Sequence, residues 1–172
     1  MPTATHIVSF EAISTPTSRL LILGSIPGKA SLKASQYYAH PRNLFWSMME
    51  HIAAIPADLD YALRLNMLND KDIALWDVLK SCHRTSSLDS DIDERSIIPN
   101  DFENFFSAHP LIRFIFFNGA KAETSFLKYV HPTLKLDVSL QYYRLPSTSP
   151  ANASVPISQK VKAWSLITQF LK

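Results

Sequence analysis

Cysteine, glycine and long apolar runs are scarce in this sequence. Its 172 residues include one cysteine, Cys82, and three glycines. A lone cysteine excludes an internal disulfide and any all-cysteine metal or iron–sulfur site within one chain, so we expect a reducing, cytoplasmic setting. The apolar runs are far shorter than the roughly 20 residues of a transmembrane helix. Residues 1–10 lack a basic start and an apolar signal core, so we expect no export signal and no membrane partner.

Charge of one sign is not in excess either. The 17 Lys and Arg residues nearly balance the 15 Asp and Glu residues, and the net charge is +2. This balance does not predict a nucleic-acid binder, but a local basic patch suffices where a protein grips only a few phosphates. The six histidines are scattered and lack the paired spacing of a zinc site. We therefore expect no metal and no cofactor.

The sequence does contain short apolar runs that alternate with helical patterns. Buried strands are predicted at residues 20–23, 73–76 and 114–117, with a fourth near 140–145. Helical spacing of apolar residues spans 44–52 and 122–130, and an amphipathic helix is predicted at 161–171. This alternation predicts an α/β protein, a three-layer α/β/α sandwich around a central, mostly parallel four-stranded sheet. We expect residues 1–172 to form a single domain.

Loops of unusual composition follow three of the predicted strands: GSIPG at 24–28, DVLKSC at 77–82 and LPSTSPAN at 145–152. Ligands of parallel sheets bind beyond the carboxyl ends of the strands, so all three loops are expected to line one cleft. Gly24 and Gly28 bracket Pro27, so the backbone is predicted to bend sharply and lie close to a ligand. The GK[ST] ending of a phosphate-binding loop is missing, which disfavours a nucleotide cofactor. Further on, Pro41 is predicted to open a helix after His40, with Asn43 in its first turn.

Several segments together resemble one enzyme family. Residues 24–28 (GSIPG) and 38–46 (YAHPRNLFW) are similar to the first motif region of the uracil-DNA glycosylase superfamily. Residues 76–79 (WDVL), 87–90 (SLDS), 117–119 (FNG) and 145–152 resemble its hypoxanthine-DNA (deoxyinosine) glycosylase family in the same order. The resemblance covers nearly the whole chain. It implies a monomeric, monofunctional glycosylase that flips hypoxanthine out of DNA and hydrolyses its N-glycosidic bond with water.

The resemblance carries the catalytic role to Asn43. Mismatch-specific relatives have an asparagine, and classical uracil enzymes an aspartate, where this chain has Ile26. A hydrocarbon side chain can neither activate water nor balance a cation. The hypoxanthine family is thought to use the asparagine of the HPRN segment, which is Asn43 here. Its amide could hold water near C1′ or bond the flipped base. The alternative is an asparagine that caps the backbone of its own helix start.

The resemblance also implies how the base is held. Tyr38 stands where relatives have a stacking aromatic, a contact worth about 1–3 kcal/mol per base; otherwise it is a core or turn aromatic. Asp77 stands where relatives have a recognition asparagine. Its carboxylate could accept from N1–H of hypoxanthine, a hydrogen that adenine lacks, or it could be a capping or salt-bridged aspartate. The expected substrate-binding set is Gly24, Ser25, Ile26, Pro27, Gly28, Tyr38, His40, Asp77 and Asn118.

Contacts with the DNA backbone are expected from the serine-rich loop. Ser147, Thr148 and Ser149, together with Arg42, form the expected DNA-binding set, because hydroxyls and guanidinium groups suit phosphate. The alternative is a plain proline-bounded surface loop. Classical uracil enzymes have a histidine where Leu145 stands and a leucine wedge where Ser149 stands. Ile26 and Leu145 replace polar side chains that take part in catalysis in relatives. Two alternative functions therefore stay open: a uracil or mismatch glycosylase, and a non-catalytic module that binds damaged DNA.

Overall fold

The computed structural model describes residues 2–136 and 139–171. The strands are β1 (Thr5–Val8), β2 (Leu20–Gly24), β3 (Ile73–Asp77), β4 (Leu79–Arg84), β5 (Ile98–Pro99), β6 (Phe114–Asn118) and β7 (Gln141–Leu145). The α-helices are α1 (Lys29–Ala34), α2 (Phe45–Ala53), α3 (Tyr61–Asp70), α4 (Phe102–Ala108), α5 (Ala120–Ser125) and α6 (Ile157–Trp164). Within the described residues, no helix is long and apolar enough to cross a membrane.

The central sheet contains the four predicted strands in the order β3-β2-β6-β7, and every pair is parallel. The predicted α/β fold class is therefore confirmed. Gly24 pairs with Asp77 at the ends of β2 and β3, and Asn118 pairs with Leu145 at the ends of β6 and β7. Because all four strands run the same way, the polar groups that follow them meet at one edge of the sheet.

Helices cover both faces of this sheet. Along β2, Leu20 and Ile22 join the apolar cluster that contains α2 and Trp164 of α6. The alternate residues, Leu21 and Leu23, join the opposite cluster, which contains α4 and residues of α5. Side chains of successive strand residues point to opposite faces, so β2 is buried along its whole length between two layers of helix.

A second, antiparallel sheet was not expected, and it corrects one of the predicted loops. β4 pairs with β1 on one side and β5 on the other. The predicted DVLKSC loop is therefore mostly strand, and only Asp77 of that segment lines the cleft. The pairing partners lie far away in the sequence, so no local pattern indicated them. Cys82 lies in β4 and is buried and unpaired, as a small apolar residue would be.

The prediction that a helix begins at Pro41 is wrong, because α2 begins at Phe45. Residues 40–43 form a turn that the Asn43 N–H closes by donating to the His40 carbonyl, at 2.9 Å. The Leu44 N–H then donates to the distant Thr148 carbonyl at 3.0 Å. This tertiary hydrogen bond takes the N–H of Leu44 out of the local helical pattern, so Asn43 precedes the helix.

The other two predicted helices form with different geometry. Ala122, Phe126 and Val130 are all buried, but α5 continues into a π-helical turn over Phe126–Val130. The C-terminal helix begins before residue 161 and tightens into a 3-10 helix over Ser165–Phe170. The Ser165 hydroxyl donates to the Val161 carbonyl at this junction, and such side-chain bonds compete with regular helical bonding.

Candidate active site

A cleft of about 1160 Å³ opens at the carboxyl ends of the parallel strands. The loops after β2 and β7 line it, and so does the segment that follows β4. All the predicted site residues lie on its lining except Arg42: Gly24, Ser25, Ile26, Pro27, Gly28, Tyr38, His40, Asn43, Asp77, Asn118, Ser147, Thr148 and Ser149. Arg42 is exposed outside this lining. The cleft is larger than a single base needs.

Gly24 allows two side chains to approach the backbone at the floor of the cleft. A Cβ atom built on Gly24 would lie 2.6 Å from Asp77 Oδ1 and 2.8 Å from the Tyr38 hydroxyl. Any larger residue would displace both groups. Gly28 differs, because a Cβ there would make only ordinary contacts of 3.7 Å with Ser87. Of the two glycines, only Gly24 is required for close approach at this cleft.

Asp77 is a buried carboxyl group at the floor of the cleft. Its side chain belongs to the last residue of β3, and the residue is 3% exposed. Burial raises the pKa of Asp77 to about 7, and the nearby Asp89 carboxylate adds to this rise, while the Arg84 guanidinium opposes it. Oδ2 has no hydrogen-bond partner among the described residues. A buried oxygen in this state is available to a ligand.

Tyr38 provides an aromatic surface beside Asp77. Its ring stacks on Phe45 with centroids 4.1 Å apart, yet the residue is half-buried and lines the cleft. The hydroxyl is buried without a hydrogen-bond partner in the described part of the chain, and burial raises its pKa. The backbone adopts a left-handed conformation with a φ of 56°, which costs on the order of 1–3 kcal/mol for a non-glycine residue. Its neighbours hold it there, because Trp46 donates to the Tyr37 carbonyl at 3.0 Å.

Asn43 lines the same cleft as Tyr38 and also caps its own helix. Its Oδ1 accepts from the Phe45 N–H at 2.9 Å, so Asn43 satisfies the first donor of α2 from the position before the N-cap residue, Leu44, much as the capping alternative expects. Its Nδ2 makes no hydrogen bond within the residues described. The cap fixes the plane of the amide, and two N–H donors stay free. Capping and ligand binding are therefore compatible in this geometry.

The segment 84–89 fixes the loop 24–29 by three hydrogen bonds. Arg84 donates from Nη2 to the Pro27 carbonyl at 2.7 Å. The Lys29 N–H donates to Ser87 Oγ at 3.0 Å, and the Ser25 hydroxyl donates to Asp89 Oδ1 at 2.7 Å. Arg84, Ser87 and Asp89 were not among the predicted site residues, and only the family resemblance of residues 87–90 (SLDS) pointed to two of them. Arg84 itself is 2% exposed, so its role is to hold the loop and not to meet phosphate.

The loop 145–152 is also fixed in place. Asn118 donates to the Thr148 hydroxyl and accepts from the Thr148 N–H, both at 2.9 Å. At the two ends, Trp164 donates to the Pro146 carbonyl at 2.9 Å, and Lys160 donates to the Asn152 carbonyl at 2.7 Å. Thr148 is fully buried, so its side chain does not face the solvent, and a direct phosphate contact by Thr148 does not fit this structure. Asn118 and Thr148 instead position this loop.

The serines of this loop and two cations lie on the cleft wall. Ser147 and Ser149 are half-buried, and their hydroxyl oxygens accept only from N–H groups of their own loop. Arg144, at the end of β7, is exposed, and its closest ion pair is with Glu123 at 3.7 Å. Lys121 is ion-paired with Glu94. In residues 2–136 and 139–171, no group of three or more His, Cys, Asp or Glu could hold a metal ion.

The fold and the cleft together define an α/β enzyme suited to a planar polar ring. An aromatic face, a carboxyl oxygen and amide donors meet there between two fixed loops. The sequence model of the Uracil DNA glycosylase superfamily matches residues 11–168, so the chain belongs to that superfamily. The superfamily comprises DNA glycosylases, which hydrolyse N-glycosyl bonds of bases in DNA.

Two curated relatives have a more specific name. A protein of Methanosarcina acetivorans named "Hypoxanthine DNA glycosylase" is 37% identical over 144 residues, which are 83% of this chain and 86% of that protein. A protein of the same name from Methanosarcina barkeri is 36% identical over 116 residues, 66% of this chain and 71% of that one. A solution NMR structure from Methanosarcina acetivorans, provisionally named a uracil DNA glycosylase, has a TM-score of 0.79 and 30% identity. The match covers 96% of this chain and 98% of the chain in the NMR structure.

Proposed function

We propose that this protein removes hypoxanthine from deoxyinosine in DNA by hydrolysing the bond between the base and C1′ of the sugar. The observation that carries the proposal is the floor of the cleft, where Asp77 Oδ2 is buried without a partner beside the half-buried Tyr38 ring. The names of the two Methanosarcina relatives support the same substrate. The reaction leaves an abasic site in the DNA.

Asp77 is proposed to recognise the edge of the base. Hypoxanthine has a donor at N1–H and an acceptor at O6, and the Asp77 carboxyl accepts from N1–H in its ionised form, which predominates above its pKa of about 7. Adenine has a lone pair at N1, which would face the carboxylate oxygen without a proton between them. A site built on a hydrogen bond rejects the analogue that cannot make it. Backbone N–H groups of the loop 24–28, near Ser25 and Ile26, are proposed to meet O6.

Tyr38 and Asn43 are proposed to act on the base and the sugar. The Tyr38 ring is backed by Phe45, so a base stacked on its other face meets a rigid surface. Asn43 Nδ2 is proposed to hold the attacking water near C1′. An amide is not a base, so it positions water and does not deprotonate it. This suffices where the transition state has oxocarbenium character, because the C1′–N9 bond is largely broken before water adds.

The DNA backbone is proposed to lie along the outer wall of the cleft. Ser147 and Ser149 can each donate a hydroxyl hydrogen to phosphate, and exposed Arg144 and Arg42 supply positive charge. Lys121 is ion-paired with Glu94, and we assign it no covalent role. The protein is proposed to act as a monomer on duplex DNA in the cytoplasm, without a cofactor and without cutting the strand itself.

A uracil glycosylase is the second candidate, because the Asp77 geometry also fits uracil. Uracil has N3–H between two carbonyl groups, so its edge offers the same donor and acceptor as hypoxanthine. The purine ring is larger, and the volume of the cleft allows it. The two candidates therefore differ in the rate with each base and not in the chemistry of recognition.

One assay separates these functions. Duplexes that contain a single deoxyinosine, deoxyuridine, deoxyxanthosine or unmodified deoxyadenosine are incubated with the protein, and abasic sites are then cleaved with alkali. We expect product mainly from deoxyinosine and none from deoxyadenosine. Product mainly from deoxyuridine would make the second candidate correct, and binding without any product would indicate a non-catalytic module. Treatment with borohydride should trap no protein–DNA adduct, because water is the nucleophile.

A further inference from the structure

An exposed leucine stands on the rim of the cleft. Leu88 is 45% exposed and lies directly before a short 3-10 helix, Asp89–Asp91. Seven large apolar side chains are exposed among the described residues, and Leu88 is the one of them that lines the cleft. Single exposed leucines are common on protein surfaces, and what distinguishes Leu88 is its position on the cleft wall, where it can contact a bound substrate.

The backbone around Leu88 is held firmly on both sides. The Leu88 N–H donates to Ser86 Oγ at 2.9 Å, and the Leu88 carbonyl accepts from the Asp91 N–H at 3.1 Å. Ser87 and Asp89, its direct neighbours, are bonded to the loop 24–29 as described above. The backbone of the turn therefore needs little further ordering when DNA binds, and it presents the apolar side chain from a fixed point at the cleft.

Charge around this turn favours base contact over phosphate contact. Asp89 and Asp91 follow Leu88 in this turn, and they accept hydrogen bonds from Ser25 and Ser86. Carboxylates repel phosphate, so this turn is unsuited to follow the DNA backbone. The faces of bases are uncharged and stack readily on apolar side chains, so an uncharged leucine at the tip of the turn is suited to lie between them.

A flipped base leaves a gap in the stack, and the serine-rich loop has little to fill it. In this loop Ser147 and Ser149 are small and polar, Thr148 is fully buried, Pro150 is half-buried, and the exposed Ala151 has only a methyl group. Proteins that distort DNA often insert a leucine or another apolar side chain between base steps and stabilise the unstacked state. Among the described residues on the rim of this cleft, Leu88 is the large apolar side chain that is exposed.

We propose that Leu88 enters the duplex at the position that the flipped base leaves and prevents the base from returning. The proposal rests on the proposed function, since it assumes a base drawn from a duplex into this cleft. Leu88 then acts on the opening of the duplex and not on the hydrolysis of the bond. Its contribution is therefore largely confined to double-stranded substrates, because a base in a single strand has no paired partner to which it could return.

The test compares Leu88→Ala with wild type in single-turnover excision from duplex and single-stranded oligonucleotides that contain deoxyinosine. Leu127→Ala is the matched control, because Leu127 is 44% exposed and does not line the cleft. We expect Leu88→Ala to lose about tenfold on duplex DNA and less than about twofold on the single strand. Leu88→Met, which keeps the apolar volume, should recover most of the duplex rate, and Leu127→Ala should leave both rates unchanged.

Base opening is measured separately with 2-aminopurine placed beside the deoxyinosine, since its fluorescence rises when it unstacks. Leu88→Ala should give a smaller rise than wild type in duplex complexes at saturating protein. Equal losses on both substrates would overturn the proposal and place Leu88 against the base in the pocket, and an unchanged duplex rate and fluorescence would also overturn it. If wild type binds without excising any base, the proposed function fails, and the fluorescence arm still decides the role of Leu88.

Discussion

Asp77 and Gly24 lie so close that the side chain of one requires the absence of a side chain in the other. A Cβ atom on Gly24 would be 2.6 Å from Asp77 Oδ1, well inside van der Waals contact. The two residues are paired across β2 and β3, at the carboxyl ends of adjacent parallel strands. The position of the carboxyl group at the cleft floor thus depends on a glycine in the neighbouring strand.

Gly24→Ala is expected to displace the Asp77 carboxyl and the Tyr38 ring. Both groups are packed, so they cannot move away freely, and overpacking costs about 1–3 kcal/mol. We expect excision of hypoxanthine to fall at least about tenfold, measured as kcat/KM on a deoxyinosine duplex. Gly28→Ala is the matched control, since its Cβ meets only Ser87 at an ordinary 3.7 Å. Similar losses in both variants would show that general backbone freedom, and not the Asp77 contact, explains the effect.

Asn43→Ala should reduce excision from a deoxyinosine duplex at least about tenfold, since it removes the donors proposed to hold water. It should also lower the free energy of unfolding by about 0.5–2 kcal/mol, because the Phe45 N–H loses its cap. Single-turnover rates and thermal unfolding measure the two effects.

Asn43→Asp separates the cap from the chemistry. A carboxylate still accepts from the Phe45 N–H at the start of α2 but has no N–H donors. We therefore expect stability close to wild type and excision as low as in Asn43→Ala. An Asp variant with the wild-type rate would show that the Nδ2 donors are not required for excision.

Asp77 is expected to make stability fall as pH rises. Its ordinary pKa is 3.8, and in the folded protein burial raises it to about 7, so the folded state binds more protons between these values. The stability that protonation contributes is present below about pH 4 and is lost as pH rises through about 7. Asp77→Asn removes the buried charge, and at about pH 8 it should raise the free energy of unfolding by about 1–3 kcal/mol.

The measurement is chemical denaturation of wild type and Asp77→Asn across the pH range. The gain in stability should vanish near about pH 4, where the wild-type carboxyl is protonated. Asp58→Asn serves as the control, because Asp58 is exposed and its loss removes one carboxyl without touching the cleft. A gain that does not depend on pH would mean that Asp77 is not a buried ionisable group.

The two loops of the cleft illustrate how far sequence reasoning reaches. The motifs GSIPG and LPSTSPAN placed both loops at the cleft, because short apolar runs predict parallel strands and parallel strands end at one edge. The prediction of a third loop at residues 77–82 was wrong from Leu79 onward, since these residues form β4 by pairing with β1 and β5. Antiparallel partners distant in sequence leave no local periodicity that could reveal them.

The sequence by itself determined the four parallel strands, three of the helical segments over them (near 44–52, 122–130 and 161–171) and the family of the chain. Those features follow from local apolar patterns and from motifs that lie within a few residues of one another. Only the tertiary structure decided which polar groups are free and which are occupied. Thr148 is buried and hydrogen-bonded to Asn118, Arg84 donates a hydrogen bond to the Pro27 carbonyl, and Leu88 is exposed. Burial and hydrogen bonding depend on residues brought together from distant parts of the chain, and no single stretch of sequence contains that information.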